Sequence, residues 1–288
     1  MVRRDGLVVL DKPPGLTSTQ ALAQAKRQLQ AAKGGHTGTL DPLATGVLVL
    51  CFGEATKAAP FLLEADKRYQ VTIGLGVATT TYDAEGDVVE RRPVQVGRED
   101  VARCLGVFLG EIEQVPPRFS AIKKDGTRFY QRARNGDLEA PPSRQVRIDR
   151  IDIVSLEGAD LTLDVTCGKG VYVRSLAHDL GVRLGCGGHV KALRRLAVAG
   201  FTIDQAVELA QLTAQTPLMA SDEALRHMTA VELPYLLAVA VAKGQTVHMP
   251  GVDPGWVRLY GADRRFLGVG WALADGSIRP KRLWVGGV

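Results

Sequence analysis

The order of strand-like and helix-like segments most strongly limits the fold of this chain. Residues 67–77, KRYQVTIGLGV, place Tyr69, Val71 and Ile73 on one face with the period of two that a half-buried strand requires. The pattern TSTQ at 17–20 has the form of a capping box and predicts a helix of about fifteen residues, which KGG at 33–35 ends. Helical patterns also occur over 98–110 and 171–185, but the helices do not alternate regularly with strands. Because a parallel doubly wound sheet needs that alternation, the sequence predicts an α+β domain with a mixed, largely antiparallel central sheet flanked by helices and loops.

A change of pattern near residues 213–227 divides the chain. Beyond it, short strand-like runs such as GWVRLYG and FLGVGWAL are separated by glycine and proline, which is typical of a small β-barrel. A length of 288 residues also suits about two domains, at ~150 residues per domain. We therefore predict a first domain over 1–227 and a small C-terminal β-barrel over 228–288.

The charge of the chain favours an anionic partner. Its formal net charge is +5 and its sequence pI is about 9.1, which indicates nucleic acid first and an anionic membrane surface second. The apolar run LPYLLAVAVA at 233–242 is too short to span a bilayer, and the apolar stretch at the N-terminus is too short for a signal peptide. We expect a cytoplasmic protein with no membrane segment.

The cysteines give no sign of a metal or a disulfide framework. Cys51, Cys104, Cys167 and Cys186 are scattered and form no C-x-x-C pair. CGGH at 186–189 could offer two ligands, but further ligands at suitable spacing are missing, so a buried thiol beside a loop histidine is the favoured interpretation. We predict no metal site.

A glycine-rich segment, GGHTGTLDPLATG at 34–46, carries two titratable groups among small residues. A simple turn would account for its glycines but not for Asp41–Pro42, where the proline ring stiffens the backbone around the carboxylate. The phosphate-binding patterns G-x-x-x-x-G-K-[ST] and G-x-G-x-x-G are absent from it, and only His36 lies near Asp41 as a further metal ligand. A lone carboxylate favours nucleophilic or general-base work, and a nucleophile needs a nearby cation or hydrogen-bond donors to stay ionised.

Seven motifs follow one another at compatible spacing. They are DKPPGLTS (11–18), GGHTGTLDPLATGVL (34–48), GEATK (53–57), KRY (67–69), PPRFSAIKKDGTRFYQRARNG (116–136), GKGVYVRSLAHDLG (168–181) and HVKALRRLAV (189–198). Together they resemble the bacterial TruB family of tRNA pseudouridine synthases over nearly the whole first domain. The tail resembles the family's PUA-like RNA-binding barrel more weakly. The resemblance implies the pseudouridine synthase fold.

The resemblance also implies a reaction. The family isomerises uridine-55 in the T loop of tRNA to pseudouridine: the N-glycosidic bond breaks, the uracil turns, and C5 joins the ribose C1′. Because nothing is added or lost, no cofactor and no metal are implied. The base must be flipped out of the folded loop. The expected partner is the tRNA T stem-loop, with no obligate protein partner, a monomeric enzyme, and assistance to tRNA folding as a second role.

The family's site residues transfer motif by motif. Asp41 is implied as the catalytic nucleophile and Arg174 as its ion-pair partner, since a forked guanidinium suits a carboxylate. Tyr69 is implied to stack on the flipped uracil and His36 to pack into the T loop. The remaining implied substrate-binding residues are Tyr172, Leu193 and Lys12. Open alternatives are a core role for Tyr69 and Leu193, a hydrogen-bonded loop role for His36, and a surface role for Arg174.

The surplus positive charge is concentrated between residues 118 and 150, where nine lysines and arginines face four acidic residues. Phe119, Phe129 and Tyr130 are interleaved with them, as in proteins that bind RNA loops. In the family this region, about 116–145, is an RNA-binding thumb. Its candidate contacts here are Arg118, Lys123, Lys124, Arg128, Arg132 and Arg134. A solvated charged face is the alternative.

Two other functions compete with the synthase. A non-catalytic RNA-binding protein or RNA chaperone would explain the basic segment and the barrel, but it has no need of a fixed carboxylate beside an anionic polymer. A hydrolase with a carboxylate nucleophile, acting on a small phosphorylated substrate, should carry metal ligands and a nucleotide or sugar site. Neither is visible in the sequence.

Overall fold

The computed structural model describes residues 4–120, 123–124, 127–129, 132 and 139–284. Helices and strands are numbered in chain order within those residues. The helices are α1 Ser18–Gln28, α2 Ala59–Leu63, α3 Arg98–Leu105, α4 Val173–Arg183 and α5 Tyr235–Ala242. The strands are β1 Gly6–Lys12, β2 Gly34–His36, β3 Thr45–Phe52, β4 Lys67–Leu75, β5 Val77–Thr79, β6 Val88–Arg91, β7 Gly110–Gln114, β8 Lys123–Lys124, β9 Thr127–Arg128, β10 Arg144–Glu157, β11 Asp160–Cys167, β12 Gly188–Val198, β13 Phe201–Thr202, β14 Val207–Glu208, β15 Thr229–Glu232, β16 Val247–His248, β17 Gly255–Tyr260, β18 Phe266–Ala272 and β19 Ser277–Leu283.

The larger sheet is mixed and largely antiparallel, which confirms the predicted fold class. Its strands run in the order β14-β1-β3-β12-β4-β11-β10-β7, with β13 paired to β12 and β2 to β3. Among the described strand pairs of this sheet, only β1–β14 and β12–β3 are parallel. The strand β4, with the alternating sequence, lies at the centre between β11 and β12.

The alternation in β4 predicts its burial correctly. Tyr69, Val71 and Ile73 face one core cluster, while Arg68 and Gln70 between them are exposed. Helix α4 packs on the same side and buries Leu176 and Leu180 in that cluster. The sheet and α4 therefore form two layers around one apolar core.

Helix α1 begins where the sequence predicts. The side chain of Thr17 accepts a hydrogen bond from the Gln20 amide at 3.2 Å, and the Gln20 side chain accepts one from the Thr17 amide at 2.9 Å. This reciprocal pair is a capping box. The helix has 11 residues and ends at Gln28, a little before the Lys33–Gly35 stretch expected to end it.

The C-terminal region forms a second sheet, with strands in the order β15-β17-β18-β19-β16. This sheet is curled into a half-barrel, which confirms the PUA-like expectation. Its own core includes Val231, Val241, Leu259 and Ile278. A separate apolar cluster joins it to the first sheet and contains Leu62, Leu225, Val269 and Trp284. The domain boundary at 227/228 stays a prediction.

The apolar run 233–242 forms the short helix α5. Within the described ranges of the chain, none of the helices has the length and apolar character needed to cross a bilayer.

Candidate active site

The segment carrying Asp41 is a tethered turn between two strands. His36 lies on a strand and not on the loop predicted for it. Residues 34–36 form β2 and pair with the far end of β3. The buried Ser18 hydroxyl accepts a hydrogen bond from the Leu40 amide at 2.8 Å. The Gly15 amide donates to the Pro42 carbonyl at 2.8 Å. Asp41 is therefore fixed by hydrogen bonds on both sides as well as by the proline ring.

Arg174 forms an ion pair with Asp41 through two of its nitrogens, and one of the two contacts is a hydrogen bond. Nε of Arg174 lies 2.9 Å from Oδ2 of Asp41, and Nη2 donates a hydrogen bond to Oδ1 at 3.2 Å. The arginine side chain is 6% exposed whereas the carboxylate is 31% exposed. The guanidinium is thus a buried support, and the carboxylate is the part of the pair that a ligand can reach.

Asp83 is a partner that the sequence analysis missed. Its Oδ2 lies 3.3 Å from Nη1 of Arg174, and its side chain is only 4% exposed. The Thr81 and Phe119 carbonyls accept further hydrogen bonds from the same guanidinium at 3.2 and 3.0 Å. Arg174 is therefore held from several sides, and Phe119 connects it to the start of the basic segment.

The ionisation of Asp41 is set by opposing effects. Burial raises the pKa of the Asp41 carboxyl above its ordinary value, Arg174 lowers it, and Asp83 raises it again. The net direction is upward. Without Arg174, desolvation and a second carboxylate would both favour the protonated acid, so the guanidinium is the group that favours the ionised Asp41.

Lys12 lies beneath the Asp41 turn and is fully buried. Its Nζ donates to the carbonyls of Leu16, Pro13 and Pro42, at 2.6, 2.8 and 3.3 Å. Burial lowers the pKa of Lys12 to about 8, against a raising effect from Asp41. These contacts support the Asp41 turn. The substrate-binding role that the resemblance implies for Lys12 stays a prediction.

Tyr69 and Leu193 lie on the adjacent central strands β4 and β12, where Leu193 pairs with Val71, two residues along from Tyr69. Both belong to the main core and are 9% and 7% exposed. Burial raises the pKa of the Tyr69 phenol, while the positive charge of Arg195 lowers it. The Tyr69 side chain is therefore part of the core, and its stacking on uracil stays a prediction.

His36 is half-buried, and its Nδ1 is buried without a hydrogen-bond partner. The hydrogen-bonded alternative is thus not realised at that nitrogen. Burial lowers the pKa of His36, and the nearby Arg195 lowers it further. The imidazole is therefore favoured in its neutral form, and its Nδ1 is shielded from solvent.

Tyr172 is positioned by a second residue that the sequence analysis missed. The buried side chain of Gln114 accepts from the Tyr172 amide at 2.7 Å and donates to the Tyr172 carbonyl at 3.1 Å. The guanidinium of Arg144 lies over the Tyr172 ring, 4.7 Å from its centroid. One face of this ring is therefore already covered by a cation.

Comparison with known proteins agrees with this geometry. The family described as TruB family pseudouridylate synthase (N terminal domain) matches residues 26–173. The tRNA pseudouridylate synthase B C-terminal domain matches 174–234, and the C-terminal domain of pseudouridine synthase II TruB matches 229–284. The chain belongs to the TruB family.

Curated relatives and solved structures extend the match. A tRNA pseudouridine synthase B of Pseudomonas aeruginosa (strain UCBPP-PA14) is 46% identical, covering 96% of this chain and 95% of the relative. One of Burkholderia mallei (strain NCTC 10247) is 47% identical, covering 100% of both chains. A Cbf5-Nop10-Gar1 complex is 26% identical with a TM-score of 0.75, covering 96% of this chain and 84% of that one. The predicted family and enzyme class are confirmed. The roles of individual side chains stay predictions.

The basic segment of this TruB family member is only partly described. Arg118 is exposed at its start, while Lys123, Lys124 and Arg128 lie on the two-stranded pair β8–β9. Arg132 lies 3.0 Å from Glu139 and over the Phe129 ring. Arg134 lies outside the described residues. Ion pairs also engage Arg147 with Asp66 and Arg150 with Asp152, so part of the positive surplus is balanced locally.

A cavity of about 550 Å³ opens next to the TruB site and is lined in part by Lys12, Gln24 and Arg194, but not by Asp41 or Tyr69.

Among the described residues, no group of His, Cys, Asp and Glu side chains could hold a metal ion. In the CGGH segment, the Cys186 thiol donates to the Gly187 carbonyl and His189 contacts the Val77 carbonyl.

Proposed function

We propose that this TruB family member isomerises uridine-55 in the T loop of tRNA to pseudouridine, with Asp41 as the nucleophile. The observation that carries the proposal is the Asp41–Arg174 pair, in which a half-exposed carboxylate rests on a buried, forked guanidinium. Arginine stays protonated at every physiological pH, so it stabilises the carboxylate without exchanging a proton with it.

In the proposed reaction, the base leaves the loop and enters the cleft above Asp41. Unstacking costs a few kcal/mol and is offset by new contacts, which Tyr69 supplies by stacking and Leu193 and Tyr172 by lining the pocket. The bond between N1 and C1′ breaks, the uracil turns, and C5 bonds to C1′. The proton lost from C5 is balanced by the proton gained at N1, so the chemistry needs no external reactant.

The T stem-loop is the proposed partner of the basic segment. Arg118, Lys123, Lys124, Arg128, Arg132 and Arg134 are proposed to contact its phosphates, and His36 to occupy the space that the flipped base leaves. Phosphate contacts release counterions, so binding should weaken steeply as salt rises. The C-terminal half-barrel, proposed as a separate domain from residue 228, adds a second RNA-binding surface. We further propose that the enzyme is monomeric and cytoplasmic, and that it also assists tRNA folding.

The direct test is to map pseudouridine in unmodified tRNA after incubation with the purified protein, using chemical derivatisation and mass spectrometry. We expect modification at position 55 alone, in whole tRNA and in an isolated T-arm stem-loop. Asp41→Asn should lower the single-turnover rate by about 10⁴-fold or more while tRNA still binds. Asp160→Asn, which removes an exposed carboxylate paired with Lys191, is the matched control. Substantial activity of the Asp41 variant would refute the proposed nucleophile.

The folding role needs a separate readout. Asp41→Asn should still accelerate the folding of a destabilised tRNA, because binding surfaces and not the carboxylate perform that task. If the variant lost both activities together, the folding role would have no basis apart from catalysis.

A further inference from the structure

Arg195 is a buried charge without an acidic partner. Its side chain is 1% exposed and is among the largest fully buried side chains of the molecule. Within the described ranges, no ion pair includes it, although Arg194 and Arg174 both have carboxylate partners. Burying an arginine is costly unless its donors are satisfied, so its contacts must compensate for lost water.

Those contacts lie on two separate parts of the candidate site. Nε of Arg195 donates to the Val47 carbonyl at 2.6 Å, and Nη2 donates to the Gly38 carbonyl at 3.2 Å. On the neighbouring strand β4, Tyr69 is the cross-strand partner of Arg195, and the charge of Arg195 lowers the pKa of the Tyr69 phenol. Arg195 therefore binds the turn that carries Asp41 and lies beside the aromatic residue of β4.

The backbone leaves room for this arrangement. On β12, Arg195 lies opposite Tyr69 of β4 on one side and Gly46 of β3 on the other. A Cβ on Gly46 would lie 2.2 Å from the Arg195 carbonyl oxygen, and one on Gly38 would lie 3.5 Å from Nη1. Glycine at position 46 thus permits the close approach of the two strands.

The neighbouring arginine provides a comparison within the same strand. Arg194 points to the other face of the sheet, where it donates to both carboxylate oxygens of Asp11 at 3.1 and 2.6 Å. Its side chain is 39% exposed. One arginine of the pair is therefore a conventional ion-pair residue, and the other is directed at the site.

We propose that Arg195 is a positioning residue for the isomerisation, fixing the Gly38 end of the Asp41 turn against β3 and beside the Tyr69 side chain of β4. This inference rests on the proposed function, because Tyr69 and Asp41 are the groups that meet the flipped uridine.

The first experiment separates rate from affinity. Arg195→Met should lower the single-turnover rate on tRNA by about 100-fold. The Kd for tRNA should change less than about threefold, since the Arg195 side chain is buried. Arg195→Lys keeps the charge but cannot reach all of its acceptors, so we expect an intermediate loss of about 10-fold. Arg194→Met is the matched control and should retain the wild-type rate.

The second measurement does not depend on catalysis. With 3-fluorotyrosine incorporated, the Tyr69 resonance is assigned by its loss in Tyr69→Phe. That resonance should move in Arg195→Lys and remain unchanged in Arg194→Met. A folded Arg195→Lys protein with a wild-type rate and an unmoved Tyr69 resonance would overturn the inference. A wild-type protein that forms no pseudouridine would instead overturn the proposed function and leave the fluorine result to judge the Tyr69 contact.

Discussion

Two buried arginines support the same cleft in different ways. Arg174 meets carboxylates, with Asp41 and Asp83 on either side of its guanidinium. Arg195 donates to two neutral acceptors, the Val47 and Gly38 main-chain carbonyls, and lies opposite Tyr69 on the neighbouring strand. The first arrangement balances charge, so it controls ionisation. The second leaves the charge unbalanced by any described carboxylate and uses hydrogen-bond geometry, so it controls orientation.

The difference teaches that a buried cation has a function set by its partners. Around Arg174, removing charge should change the pH at which the enzyme works. Around Arg195, altering the side chain or the backbone spacing should change the position of the Asp41 turn relative to Tyr69. The following variants test this division.

The largest effect should follow Arg174→Lys. A lysine keeps the charge but loses the forked contact with Asp41 and cannot also reach the Thr81 and Phe119 carbonyls. We expect the single-turnover rate to fall by about 10²–10³-fold, the equivalent of about 3–4 kcal/mol, with little change in tRNA affinity. Arg183→Lys, at an exposed position on the same helix, is the control. Equal losses in rate and affinity would contradict the assigned pairing.

Gly46→Ala should disturb the close approach of β3 to the main chain of Arg195 on β12. The added Cβ would lie 2.2 Å from the Arg195 carbonyl oxygen at a residue with a φ of +99°. We expect a stability loss of about 3 kcal/mol by urea unfolding, from steric overlap and left-handed strain together.

Gly15→Ala separates those two causes. Gly15 has a φ of +80°, but a Cβ there would meet nothing within 4 Å. It should cost only about 1 kcal/mol, the conformational part alone. Similar losses at Gly15 and Gly46 would show that the close approach to Arg195 contributes nothing.

Asp83→Asn should change the pH dependence on the Arg174 side. Under the proposed mechanism the reaction requires the ionised Asp41, so the rate should rise with pH through the raised pKa of that carboxyl. Removing the Asp83 charge removes one cause of the raised Asp41 pKa, so the acidic limb of the pH–rate profile should move to lower pH. We also expect about a 10-fold slower rate at neutral pH from the loosened guanidinium. Asp87→Asn, exposed in the same turn, should leave the limb in place.

The smallest effect concerns Lys12. Its pKa is lowered to about 8, so it loses its charge as pH rises through that value. A neutral amine has two protons for three carbonyl acceptors and should hold the Asp41 turn less firmly. The rate should then decline about threefold between pH 7 and 9. In Lys12→Gln the rate should be lower but flat over that range, and the same decline there would assign it to another group.

The sequence was most informative where the signal is local. Thr17 and Gln20 lie three residues apart and form the capping box that the pattern predicts. The alternation of β4 places Tyr69 on the core face without reference to any other strand. Resemblance then supplied Asp41 and Arg174 as partners, although 133 positions separate them.

Residues whose importance depends on distant partners were missed. Nothing in the sequence around Asp83 marks it as a partner of Arg174. Gln114 is an ordinary strand residue until its amide is seen holding the Tyr172 backbone. Arg195 follows Arg194 in sequence, and only the direction of each side chain relative to the sheet separates their roles.

By itself, the sequence determined the periodicity of the strands, the cap of the first helix, the surplus of positive charge and the motifs of the family, since each depends on residues close together in the chain. Tertiary structure decided which charges are buried and what neutralises them. The physical reason is that desolvation and hydrogen-bond geometry depend on neighbours in space, and the site draws those neighbours from β1, β3, β4, α4 and β12.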